Sequence, residues 1–181
     1  MPGRIPDKPE LIMKLYRVLL SAFLFLSISS AVLALQLNRE FDPPFPAPAF
    51  SLIDLDEQVY TLEDFRGKPV IVNFWATWCP PCREEMPSME RAWQRIESEG
   101  IAMIGINVGE DFDTVFGFTA DIDVSFPLLL DQDGEVTGAW PIQGLPTTYV
   151  LNPRGEMVYR IVGGRDWDDD ELLDAVRELR H

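Results

Sequence analysis

The chain contains two cysteines, and both lie in the stretch WATWCPPCREEMP, residues 75–87. A disulfide between Cys79 and Cys82 would close a very short loop, so it would add little entropic stability as a structural cross-link. At the start of a helix, however, unpaired backbone amides and the helix dipole stabilise a thiolate and lower the pKa of the thiol. The spacing therefore predicts a redox pair, in which Cys79 caps the helix and attacks while Cys82 resolves the mixed disulfide.

The two prolines between the cysteines suit this arrangement. Pro80 falls at the first helical position, where its fixed φ matches the helix and its missing N–H is not needed. Pro81 adds stiffness and offers no N–H to the sulfur of Cys79. The role predicted for Cys79 also requires that its sulfur be ionised and accessible at the end of the helix.

Composition limits the other kinds of chemistry. The 181 residues carry a formal net charge of −15, and 46% of them are hydrophobic, which permits a packed core. Nucleic acid is a poor partner for such a chain, because phosphate binding needs clustered Lys and Arg. Two cysteines and a single histidine, His181, cannot supply a zinc site of the usual four-ligand kind. We therefore expect no metal site, and no cofactor is indicated.

The amino-terminal part has the pattern of a membrane or export segment. Residues 18–37 contain no charge and are long enough to cross a bilayer as a helix, and Lys14 and Arg17 precede them. This flanking charge would keep residues 1–17 in the cytoplasm and place the remainder outside. Alternatively, a start at Met13 would give the layout of a cleavable secretory signal. Either interpretation places the rest of the chain on the periplasmic or extracytoplasmic side, anchored in the inner membrane or released from it.

The remaining sequence predicts a spacer followed by one α/β domain. Residues 38–49 are rich in proline and predict a stiff, extended linker that is neither helix nor strand. The domain then covers residues 50–181. Within it, apolar periodicity and turn residues predict a hairpin at 50–68, buried strands at 69–76 and 101–109, helices at 82–98 and 113–121, a strand and turn at 126–134, a second hairpin at 147–164 and a helix at 166–180. This order indicates a mixed sheet covered by helices on both faces.

Two segments carry a specific resemblance to a known family. NFWATWCPPCREEMP and, some sixty residues later, GLPTTYVLNPRGEMVYRIVG resemble the membrane-associated TlpA/ResA/DsbE group, and the resemblance spans residues 50–181. It implies a thioredoxin-like fold with an added amino-terminal hairpin, and a cis Leu145–Pro146 peptide that faces the cysteines and holds the partner chain. It also implies a reductant of protein disulfides, acting on proteins such as apocytochrome c and kept reduced by a membrane thiol-transfer donor.

One position behind the cysteines differs from thioredoxin itself. Cytoplasmic thioredoxins resemble one another in having a buried Asp there, whereas this chain has Asn73, which cannot take a proton from Cys82. Glu85, three residues after Cys82, is the candidate replacement, and relatives of the ResA type carry an acid at that position. Glu85 could act as the base for Cys82. The alternative is that Glu84 and Glu85 only complement the helix dipole.

Aromatic residues near the cysteines have several possible roles. We expect Trp78, beside Cys79, to belong to an apolar substrate-docking surface, and Trp75 to belong to the core. The aromatic stripe of residues 112–118 is expected to pack inside the protein.

Two other functions compete with the oxidoreductase. The first is a peroxiredoxin-like peroxidase, but such enzymes resemble one another in a Pro-xxx-Thr-xx-Cys signature, and the matching positions here are Val72 and Ala76. The second is a redox-inert metallochaperone with a thiolate pair, which a copper titration would detect.

Overall fold

The structure, a computed structural model, describes residues 39–180. The described strands are β1 (Arg39–Pro46), β2 (Ser51–Asp54), β3 (Val59–Thr61), β4 (Val70–Trp75), β5 (Ala102–Val108), β6 (Leu128–Asp131), β7 (Thr147–Leu151) and β8 (Glu156–Val162). The described α-helices are α1 (Pro80–Ile96), α2 (Phe112–Thr119), α3 (Glu135–Ala139) and α4 (Asp170–Glu178). Short 3-10 turns cover Leu62–Phe65 and Glu97–Glu99.

The strands form one mixed sheet in the order β1-β8-β7-β4-β5-β6-β2-β3. Strands β4, β5 and β6 are parallel, and β7 pairs with β4 in the antiparallel direction. The hairpin β2–β3 extends the sheet beyond β6. The predicted thioredoxin-like sheet with an added amino-terminal hairpin is therefore confirmed.

Strand β4 lies at the centre of the sheet and is buried along its whole length. Because side chains alternate across a strand, its residues divide between the two faces. Ile71 and Trp75 join the core cluster that contains the buried side chains of α1 and α4, while Val72 and Phe74 join the cluster on the opposite face. Asn73 lies midway between Ile71 and Trp75, on the same face of the strand, so its side chain points towards α1.

Helix α1 covers this face of the sheet with residues at helical spacing. Of the four residues at helical spacing, Met86, Met89 and Ile96 are fully buried and Trp93 is half-buried against the core; Cys82 is fully buried too. Glu85 lies on the same side and is also buried. A carboxyl side chain therefore lies among the core residues, three positions after Cys82 on the buried side of α1.

The structure differs from the sequence expectations at two elements. Residues 39–46, expected to be a spacer without strand structure, form the edge strand β1, which pairs with β8 and changes register between Glu40 and Phe45. Prolines fit here because an edge strand leaves one row of amides outside the ladder. The short helix α3 was not predicted. Asp131 accepts hydrogen bonds from the amides of Val136 and Thr137, which stabilises its first turn.

The predicted membrane or signal segment, residues 18–37, and residues 1–17 before it lie outside the described residues. Between residues 39 and 180, no helix combines the length and the apolar character needed to cross a bilayer.

Candidate active site

Cys79 and Cys82 form a disulfide in this structure, with 5.3 Å between their Cα atoms. Cys79 is the amino-terminal cap of α1, and the backbone amide of Cys82 points at its sulfur from 3.3 Å. Pro80 and Pro81 occupy the first two helical positions. The same amide and the helix dipole would stabilise a Cys79 thiolate after reduction.

The expected accessibility of Cys79 is not found in the disulfide form. The residue is 3% exposed and Cys82 is fully buried. Cys79 belongs to the same core cluster as Trp75 and Ala76, and its sulfur is bonded to a sulfur inside that core. Both cysteines are therefore buried in the disulfide form, and a partner can reach the Cys79 sulfur only if its surroundings open.

The Leu145–Pro146 peptide is cis, as the resemblance implied. Pro146 is buried and precedes β7, whose first residue, Thr147, pairs with Phe74 near the end of β4 from which the cysteine loop departs. The carbonyl of Pro146 accepts a hydrogen bond from the amide of Gly163 at 2.8 Å.

Gly164 connects this loop to the cysteine turn. A Cβ atom at Gly164 would lie only 3.0 Å from the carbonyl oxygen of Pro81, a tighter contact than most Cβ atoms make, so glycine favours this close approach. Residues 163 and 164 thus touch the Pro146 loop on one side and the Cys-Pro-Pro-Cys turn on the other.

The carboxylate of Glu85 is held by donors from three parts of the chain. Its Oε1 accepts from Nδ2 of Asn73 at 2.9 Å. Its Oε2 accepts from Nε1 of Trp167 at 3.0 Å and from the backbone amide of Arg165 at 3.2 Å. Nδ2 of Asn73 also donates to Oγ1 of Thr148 at 2.8 Å, which connects the carboxylate to strand β7.

Burial raises the pKa of Glu85 above its ordinary value, although the bonds from Trp167, Asn73 and Arg165 act in the opposite direction. Glu85 also lines a cleft of about 260 Å³, together with Pro81 and Gly164. A carboxylate that only complements a helix dipole would lie exposed in the first turn, which contains no acid here. Glu84 and Glu85 both lie beyond the first turn, and Glu85 is in addition buried, so the dipole alone does not explain its position.

Two contacts at the site had no sequence signal. Trp167 reaches Glu85 from a loop eighty residues away. Glu110, in the turn after β5, accepts the backbone amide of Thr77 at 2.7 Å and also the hydroxyl of Thr77. It further accepts from Nδ2 of the buried Asn107 at 2.7 Å. Glu110 thereby fixes the loop that leads from β4 into Cys79.

The aromatic residues follow the predictions only in part. Trp75 is fully buried, as expected, and Trp78 is 67% exposed beside Cys79. The stripe on α2 was expected to be core, but Phe112 and Phe116 are 37% and 58% exposed. Within the stripe, Val115 is buried and Phe118 packs on Trp75, so the prediction holds for these two residues and is wrong for Phe112 and Phe116.

Comparison with known proteins agrees with this geometry. Residues 45–160 match the family model described as the AhpC/TSA family. The thiol-disulfide oxidoreductase ResA of Bacillus subtilis is 39% identical over 117 residues, which cover 65% of each chain and so just under two thirds of that protein. The ResA protein of Geobacillus kaustophilus is 37% identical over 125 residues, covering 69% of this chain and 72% of the relative.

A solved structure supports the same relationship. A thiol:disulfide interchange protein of the thioredoxin family from Chlorobium tepidum superposes with a TM-score of 0.66 at 32% identity, covering 74% of this chain and 97% of that protein. The chain thus belongs to the AhpC/TSA family, as a thioredoxin-like relative of the ResA thiol-disulfide oxidoreductases.

Proposed function

We propose that this chain is an extracytoplasmic thiol-disulfide oxidoreductase that reduces protein disulfides through Cys79 and Cys82. The observation that carries the proposal is the Cys79–Cys82 disulfide at the amino end of α1, where a helix cap can stabilise the thiolate. The names of the ResA relatives support the same reaction.

The proposed reaction consists of two successive thiol–disulfide exchanges. The Cys79 thiolate attacks one sulfur of the partner's disulfide, which forms a Cys79–partner bond and releases the other partner sulfur as a thiolate. The Cys82 thiolate then attacks the Cys79 sulfur and releases the remaining partner thiolate. Two electrons pass to the partner, and the chain is left with the disulfide that the structure contains.

Glu85 is the proposed base of the second exchange. Cys82 is buried and must lose a proton before it can attack, and Glu85 lies three residues further along the same helix face. Burial raises the pKa of Glu85, which brings it closer to that of a thiol and makes the proton transfer less unfavourable. Glu85 then releases the proton to solvent through the cleft that it lines.

The partner is proposed to lie against the exposed Trp78 and the loop of Leu145 and Pro146. Leu145 is half-buried and Pro146 buried, so the loop offers mainly backbone and a small apolar surface. As in the resemblance, the substrate would be a protein such as apocytochrome c, and a membrane thiol-transfer donor would return the chain to the dithiol. Residues 18–37 would export the domain and anchor it unless they are cleaved.

Replacing Cys82 with serine tests the proposal directly. The Cys82→Ser variant keeps the attacking sulfur but cannot resolve, so it should accumulate mixed disulfides with its partners through Cys79. The measurement is a pull-down from native membranes under non-reducing conditions, followed by mass spectrometry of the trapped proteins. The matched control is the Cys79→Ser/Cys82→Ser double variant, which should trap nothing.

The competing functions predict other results. A pull-down of Cys82→Ser that equals the double variant would contradict the assigned roles. Rapid consumption of hydrogen peroxide by the dithiol form would favour a peroxidase. Stoichiometric, tight copper binding without disulfide reduction would favour a metallochaperone.

A further inference from the structure

We infer that Trp78, Phe112 and Phe116 form one docking surface for a cationic polypeptide segment of the protein whose disulfide is exchanged. This inference rests on the proposed function and extends it to the chemistry of the partner. We call the three side chains the aromatic edge. They are among the large hydrophobic residues that the described part of the chain exposes.

The sheet topology brings the aromatic edge together. Strands β4 and β5 are parallel neighbours, so both end at the same edge of the sheet, with Trp75 opposite Asn107. Trp78 follows shortly after β4, and Phe112 shortly after β5. Phe118 of α2 packs on Trp75, with 5.1 Å between the ring centroids, which holds α2 against the end of β4.

Glu110 fixes the two segments to each other. Its carboxylate accepts the amide and hydroxyl of Thr77, the neighbour of Trp78, and Glu110 itself lies two residues before Phe112. The side-chain Nδ2 of the buried Asn107 donates to the same carboxylate. The loop that carries Trp78 and the turn that starts α2 are therefore joined by side-chain hydrogen bonds.

The two phenylalanines present a preformed apolar face. Phe112 and Phe116 are one helical turn apart and stack, with ring centroids 5.5 Å apart and planes inclined by 10°. Phe116 also lines a cleft of about 350 Å³, whose wall includes Leu55 and Val124 and whose rim includes the exposed Asp56. A rigid aromatic face beside a cleft of this size suits a large apolar side chain of a partner.

The charges around the aromatic edge indicate that the partner segment is cationic. No Lys or Arg occurs between Arg95 and Arg154, the stretch that contains α2 and the turn before it. Asp111 and Asp113, on either side of Phe112, are both exposed. The aromatic edge is thus an apolar patch in an acidic field, which favours Lys or Arg beside the partner's apolar residue and disfavours an anionic lipid surface.

Two synthetic disulfide peptides test the inference on the unaltered protein. Both contain the same Cys pair and one Trp, and they differ only in having Lys or Glu on either side of the Trp. We expect kcat/KM for reduction of the Lys peptide to be about tenfold higher, mainly through KM, and the difference to shrink at high ionic strength because salt screens exposed charges. Equal KM values for the two peptides would overturn the inference.

A variant then locates the effect. In Phe112→Ser/Phe116→Ser, the ratio of kcat/KM for the Lys peptide to that for oxidised glutathione should fall about tenfold. Val59→Ser, which replaces a side chain 58% exposed on β3, is the matched control and should keep the ratio. An unchanged ratio in the double variant would overturn the inference. It would also be overturned if the two peptides had equal KM values and the chain formed a dimer that the double variant abolishes, because the surface would then bind a second copy of this chain.

The result separates this inference from the proposed function. Reduction of glutathione and of both peptides with equal KM leaves the oxidoreductase intact and removes only the docking surface. Failure to reduce any of the three disulfides removes both.

Discussion

Replacing Cys79 with serine should reduce the rate of protein disulfide reduction to the uncatalysed background. A serine hydroxyl is not ionised at neutral pH and cannot form a mixed disulfide, so the first exchange is lost. Cys82→Ser should differ, because it keeps the first exchange and stops only after one mixed disulfide has formed. This asymmetry follows from the position of Cys79 at the helix cap.

Alkylation of the reduced protein measures the property on which this asymmetry depends. The rate of Cys79 modification by iodoacetamide should rise with pH around a midpoint below about 8.5, the pKa of an ordinary cysteine. The amide of Cys82 and the amino end of α1 are the groups that stabilise the thiolate. A midpoint at or above the ordinary value, or faster modification of Cys82, would contradict the assigned roles. Slow modification of Cys79 even at high pH would instead show that its burial in the disulfide form persists after reduction.

Glu85→Gln should slow protein disulfide reduction by about 10²-fold, the lower end of the usual contribution of a general base. In the wild type, the rate should rise as the pH passes the raised pKa of Glu85, because only the carboxylate can accept the Cys82 proton. In the variant, that rise should vanish and the rate should depend only on ionisation of the thiols. The measurement is a pH–rate profile for reduction of a protein disulfide.

The same substitution has a predictable effect on stability. Because the pKa of Glu85 is raised on folding, the folded protein retains a proton that the unfolded chain loses above the ordinary value of 4.5. Its contribution to the free energy of unfolding is therefore full below that value, falls as the pH rises towards the folded pKa, and is constant above it. Urea unfolding as a function of pH should show this fall in the wild type and not in Glu85→Gln.

Glu84→Gln is the matched control, because Glu84 is the adjacent acid of the same helix and is exposed. It should leave both the pH–rate profile and the pH dependence of stability unchanged. If Glu85→Gln has the profile of the wild type, Glu85 is only a structural acceptor for Asn73 and Trp167. If both variants slow the reaction equally, the effect comes from the overall helix charge.

Local patterns were sufficient to predict the sheet, the main helices and the redox pair. The apolar run around residues 69–76 has the length and composition of a buried strand, and Cys79 with Pro80 has the signature of a helix start. The cis peptide at Pro146 came from the family resemblance. These features depend on residues that are close in sequence or on a pattern that already has known relatives.

Features that depend on long-range contacts could not be predicted in the same way. The hydrogen bonds from Trp167 to Glu85 and from Thr77 to Glu110 join residues that only the folded sheet brings together. The strand at residues 39–46 was missed because its prolines oppose a strand in the middle of a sheet, whereas pairing with β8 at the edge permits them. The exposure of Phe112 and Phe116 depends on how α2 lies on the sheet, which its short apolar stripe does not determine.

The amide at position 73 limits how many acids this core can hold. Asn73 is fully buried and lies 2.9 Å from Glu85, so an acid in its place would put two carboxyl groups within hydrogen-bonding distance. Two such neighbours cannot both be ionised away from water, and one would have to keep its proton. An acid at position 73 would therefore add a proton to this core but no second negative charge.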